Sequence, residues 1–279
     1  MLAPWHHLVA QLPFDWAQFE FMRHALLTVL LAAPLFALLG GMVLSQQMAF
    51  FSDAVGHSAL TGIALGILLG LGDPGWSMAG FAVLLALAVT ALRRWSAAST
   101  DTVVGLVMAG AVALGLVLLS RGGGFNKYTQ YLIGDILTVA PADIARLAGL
   151  LLAILGFWAG AFNRLHLASL NRALAQSRGV PVWGLECGFA VLTALAVALT
   201  IPWVGLLVVN SLLILPAAAA RNVARGTVAC HWLAIGFSLA AGVAGLVTSY
   251  YTATATGATI VLFAMGLFLL TLPGRRRRT

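Results

Sequence analysis

Apolar runs recur along the chain near 25–44, 54–71, 78–92, 103–120, 144–162, 184–200, 204–219, 230–249 and 257–272, with short polar stretches between them. A bilayer core needs about 20 apolar residues per helix, so each run is long enough, or nearly so, to cross as a helix. The pattern predicts an all-α, polytopic membrane protein with about nine spans. A shorter run, YLIGDILTVA at 131–140, carries Asp135 and ends at Pro141. It is too short to span alone and is read as a re-entrant or surface helix.

Composition removes the soluble alternatives. The chain is 61% hydrophobic and 8% charged, whereas soluble domains carry about a quarter charged residues. With the spans filling the length, residues 1–279 are expected to form one membrane domain without a separate soluble one. The N-terminal MLAPWHHLVAQLPFDWAQFEFMRH lacks the basic start and small-residue cleavage site of a signal peptide. His6 and His7 within it are read as incidental rather than as a metal site. Cys187 and Cys230 stand far apart with no CxxC pattern, so neither a disulfide nor a thiolate site is suggested.

The net charge of +7 follows from loop arginines, not from a nucleic-acid surface. With the N-terminus outside, Arg93, Arg94, Arg164, Arg172, Arg178, Arg221, Arg225 and Arg275 to Arg278 fall inside, which is eleven of 15 basic residues. The positive-inside rule then selects N-out, C-in. The longest inside loop, at about 163–183, reads NRLHLASLNRALAQSRGVPVW. Its middle is helix-prone, and Gly179 with Pro181 ends it. Such a helix suits docking to a soluble partner, or is simply an amphipathic surface helix.

The stretch FFSDAVGHSALTGIALG at 50–66 places Asp53, His57 and Thr61 at i, i+4 spacing, and beside them Ala54, Ser58, Gly62, Gly66 and Gly70. One face is thus polar, and its neighbour is shaped for close helix packing. Carboxylate plus imidazole can start a shell for zinc or manganese. The alternative is structural: Asp53 as a helix cap and His57 bonded to a neighbouring helix. Elsewhere, Ser99 to Asp101 resemble an N-cap, and Pro216 is expected to kink or end its helix. Asn210 needs an interhelical partner, and Glu186 suits a helix start at the inner face. No GxxxxGK[ST], GxSxG or HExxH motif occurs, so nucleotide-driven work must come from another chain.

FFSDAVGHSALTGIALG, DTVVGLVMAGAVALG, YLIGDILTVAPADI, SRGVPVWGLECGFAVLTALAVALTIPWVGLLVVNSLLILPAAAARNVARG and TGATIVL, in this order, strongly resemble the permease subunits of zinc and manganese ABC importers. This is the metal ABC-3 transporter family, and the zinc-uptake permeases are the most similar type. The resemblance covers about 25–270. It implies a plasma-membrane (bacterial inner-membrane) homodimer with a pathway on the two-fold axis, cytoplasmic ATP-binding subunits that carry hydrolysis, and an extracytoplasmic metal-binding protein. It assigns Asp53 and His57 to the metal pathway. It assigns the 163–183 loop, notably Ser169, Leu170, Asn171, Arg172, Ala173, Leu174 and Gly179, to ATPase coupling. The expected function is import of a divalent metal, zinc foremost, with manganese or iron as alternatives and a haem or siderophore chelate behind them. No permanently bound cofactor is expected; Zn2+ or Mn2+ is cargo, and the chain is no enzyme. Six positions, in three places, depart from the family pattern. Ser169, Asn171 and Gln176 stand where acids are common, Asn210 stands where a small or hydroxyl residue is usual, and Gln46 and Gln47 replace an arginine pair.

Overall fold

A computed structural model of the chain describes residues 5, 9, 11, 13–71, 74–122 and 134–276. His6, His7, Lys127, Arg277 and Arg278 lie outside them. Nine helices among the described residues are long and apolar enough to cross a membrane. In chain order the helices are α1 (Glu20–Ser45), α2 (Phe51–Leu68), α3 (Pro74–Trp95), α4 (Thr100–Gly122), α5 (Pro141–Leu170), the short α6 (Arg172–Ser177), α7 (Val182–Val204), α8 (Leu206–Val223), α9 (Thr227–Thr252) and α10 (Thr256–Arg276). The described residues contain no strand. The all-helical, polytopic expectation holds.

Local chemistry sets several helix ends. Ser99 Oγ accepts from Thr102 N at 3.2 Å and caps α4, as its sequence suggests. Pro141 opens α5, where its missing N–H costs nothing, and Asp143 Oδ2 reaches back to Ala140 N at 3.3 Å. The 131–140 run is described from Gly134 onward. There it forms only a 3-10 turn over Ile136–Thr138, capped by Asp135 Oδ1 accepting from Leu137 N at 3.0 Å. Pro216 does not end its helix: α8 continues to Val223. The α7–α8 break falls at Gly205, whose φ of +86° favours glycine.

The helices gather into two compact units. The first holds residues 1–41, 134–152 and 203–279. Here Gly242 of α9 faces Val29 near the start of α1, and Gly41 near the end of α1 faces the His231 ring. The two helices therefore run antiparallel. Val208 meets Gly257, and Asn222 Nδ2 donates to Thr271 Oγ1 at 3.2 Å, so α8 and α10 run parallel. Close approach depends on glycine at Gly40, where an added Cβ would strike the Leu213 carbonyl oxygen.

The second unit holds residues 42–133 and 153–202. Gly62 and Gly66 of α2 lie against Met78 and Ser77 of α3, and Gly115 of α4 lies against Thr61. The end of α5 pairs with the start of α7: Trp158 and Phe189 rings stand 6.0 Å apart. The end of α3 joins them through Cys187 Sγ donating to Thr90 Oγ1 at 3.5 Å. One end of this unit thus gathers the last turn of α3, α6 and the first turns of α7.

Candidate metal path and coupling segment

Asp53 lies in the first turn of α2, three residues into the helix, where the macrodipole favours a carboxylate. It is not the cap: that position is Phe50. One turn on, His57 Nε2 stands 3.6 Å from Asp53 Oδ1, too far for a hydrogen bond but close enough for both to reach one ion. The side chains are 39% and 50% exposed for Asp53 and His57, respectively. The flanking Ala54 and Ser58 are buried. The pair therefore forms an open polar spot between buried neighbours in the first turns of α2, whose exposed side continues to Ile67 and Leu68.

Thr61 does not continue that spot. It is fully buried, and its hydroxyl donates to the Ala111 carbonyl of α4 at 2.7 Å. At 3.6 residues per turn each four-residue step rotates about 40° past a full turn. Two steps carry Thr61 off the Asp53–His57 face and onto α4. The small-residue ladder divides in the same way. Gly62 and Gly66 admit α3, whereas Gly70 has φ of +69° and no close neighbour. Gly70 terminates α2, with Leu71 N donating to Gly66 O at 2.8 Å.

The 163–183 loop, expected to serve ATPase coupling and helix-prone in its middle, is not one helix. α5 runs on through Leu170, 30 residues from Pro141, or about 45 Å, which exceeds a bilayer core. Asn171 then breaks it and caps the next helix, its Oδ1 accepting from Leu174 N at 3.0 Å. After Ser177, Gly179 takes φ of +73°, and Val180 N donates to Ala175 O at 3.1 Å. Ala168, Ala175 and Val182, with Leu167 and Val180 against them, fix α6 between its neighbours. Leu174 of α6 and Leu170 at the end of α5 are exposed. Ser169 turns inward to the chain, donating to His166 O at 2.9 Å. Arg172 Nη2 donates to Glu186 Oε2 at 3.0 Å. Sequence reasoning placed Glu186 at a helix start but missed this partner, because 14 residues and a bend separate the two.

Residues 18–274 match the ABC 3 transport family. The chain belongs to that family. Family membership makes it a membrane permease subunit of a metal ABC transporter, a multi-pass plasma-membrane protein whose ATPase is a separate subunit. It is 32% identical over 260 residues to the high-affinity zinc uptake system membrane protein ZnuB of Haemophilus influenzae, covering 93% of this chain and 99% of that one. It is 27% identical over 252 residues to the manganese import system permease protein ScaB of Streptococcus gordonii, covering 90% of each. Among solved structures, PsaBC from Streptococcus pneumoniae in complex with Fab is similar at a TM-score of 0.79 and 28% identity, covering 99% of this chain and 98% of that one.

Proposed function

We propose that the chain is the permease of an ATP-driven importer that moves a divalent transition metal, zinc foremost, into the cytoplasm, with Asp53 and His57 as transient ligands. The observation that carries this reading is the half-open Asp53–His57 pair on an apolar span. A carboxylate and an imidazole facing lipid are costly, so such a pair belongs to a cavity or a protein interface. Oxygen and nitrogen donors suit zinc and manganese alike. Among the described residues no group of three His, Cys, Asp or Glu could hold a metal. One chain thus offers two donors to an ion that takes four or more. A homodimer with the pair facing its symmetry mate would supply the rest, and incomplete ligation by either chain lets the ion leave again.

In this machine α6 receives the cytoplasmic ATP-binding subunit, supported by its exposed Leu174, the exposed Leu170 at the end of α5 beside it, and its fixed seat. An extracytoplasmic binding protein would deliver the ion. The N-out, C-in orientation follows the arginine distribution. A manganese or iron cargo keeps every residue role unchanged, and the similarity to ScaB favours manganese as the second reading. A bulky chelate would need a wide apolar channel, which an Asp–His pair does not line.

The test is uptake in cells lacking their own zinc importer, expressing this chain with its ATPase and binding protein. Rescue at limiting zinc that disappears with His57→Ala supports the reading and its site. Rescue by manganese or iron alone moves the cargo. Rescue by no metal, with the complex intact in the membrane, overturns it.

A further inference from the structure

The mechanism above needs α6 to be felt at Asp53, and one end of the second unit holds a line of side chains between them. Arg172, the first residue of α6, is paired with Glu186, whose side chain is only 13% exposed. Arg93, three residues after Thr90 at the end of α3, is brought towards Glu186 by the neighbouring contact of Cys187 Sγ with Thr90 Oγ1 at 3.5 Å, and the charges of Glu186 and Arg172 both act on it. Its Nη1 donates to Met48 Sδ at 3.4 Å. Met48 is buried in the α1–α2 loop, with its N–H on Val43 O at 3.0 Å. Its carbonyl accepts from Phe51 N, also at 3.0 Å, which starts α2. Asp53 follows two residues later.

The chemistry of this line is unusual for the chain. Only eight acids occur in 279 residues, and Glu186 sits nearly buried, bonded to one guanidinium group. A buried carboxylate held this way is retained only while its partners stay in place, since removing one leaves an uncompensated charge. The thioether is a weak acceptor, so the last step depends on packing around a buried Met48 as much as on the bond itself. Small displacements pass through such packed contacts because they cannot deform freely.

We infer that Arg172, Glu186 and Arg93 are positioning residues that tie the coupling helix to the α1–α2 loop, so that a movement of α6 is delivered to the first turn of α2 and to Asp53. The inference rests on the functional reading above and adds a route to it. The residues touch neither cargo nor nucleotide.

The first arm of the test uses the full complex in proteoliposomes, reading co-purification of the ATPase, its basal rate, its stimulation by the metal-loaded binding protein, and uptake. Glu186→Gln and Arg93→Gln should keep assembly and the basal rate while losing roughly 10-fold in stimulation and uptake, a coupling-sized effect. Glu186→Arg should do the same, and adding Arg172→Glu to it should restore most of the loss. The second arm needs no transport. Spin labels at Gln47→Cys and Ser177→Cys, with Cys187 and Cys230 first replaced by serine, report the distance between the loop and α6. That distance should be narrow and unchanged on ATP addition, and broad in Glu186→Gln. Unimpaired stimulation in the single variants, or a distance distribution indifferent to Glu186→Gln, overturns the inference. A wild-type complex that moves no metal counts against the proposed function instead, and the spin-label distance still decides the route.

Discussion

The two compact units both join their helices through polar groups, and they differ at one pair. In the first, Asn222 bonds Thr271, Ser249 bonds Thr256, and Arg221 Nη2 donates to the Gly41 carbonyl at 3.1 Å. Each of these polar side chains joins one segment of the same bundle to another. In the second, Thr61 follows that pattern, but Asp53 and His57, on the same helix, remain half open. Within a membrane, polar groups that face one another hold helices together, while an open ionisable pair carries function. Polarity in a span is therefore not informative by itself; what matters is whether the bundle covers it.

The contrast predicts effects of graded size. His57→Ala or Asp53→Ala should lower metal uptake at least roughly 100-fold, as befits loss of one of two donors. Thermal unfolding of the purified permease should stay where it was, and a large drop in melting temperature would make the pair structural. Gly40→Ala should do the reverse. Its Cβ meets the Leu213 carbonyl oxygen, and overpacking of this kind costs about 1–3 kcal/mol. Yield and melting temperature in detergent should fall, and uptake should decline only with the amount of folded protein. Thr61→Val should cost about 1 kcal/mol through loss of its bond to Ala111. Per folded molecule, uptake should be unchanged; a selective uptake defect would return Thr61 to the metal path. The smallest effect is expected for Asn222→Leu, about 0.6 kcal/mol by the average for polar contacts between membrane helices. A melting curve against wild type would detect it, and a shift as large as that of Gly40→Ala would break the ranking.

Much of this molecule is written locally. Apolar run lengths mark the nine spans among the described residues, Ser99 marks its cap, and Asp53 with His57 can be picked out because acids are so rare. Where the reading slipped, the cause is three-dimensional. The 166–178 segment reads as one helix, yet Asn171 prefers to cap and so splits it. Pro216, expected to kink or end its helix, does not end α8. Glu186 and Arg172 find each other only because α5 and α7 fold back together around α6.

Sequence alone determined that the chain crosses a membrane as helices, which family it resembles, and which two residues are the candidate metal ligands. Those properties depend on hydropathy, period and side-chain chemistry, all of which are local. Only the tertiary structure decided that Thr61 is closed while His57 is open, that Gly62 and Gly66 pack and Gly70 caps, and that Met48, Arg93, Glu186 and Arg172 share one end. Those depend on which helix lies alongside, and neighbours are chosen by the packing of the whole bundle rather than by any one segment.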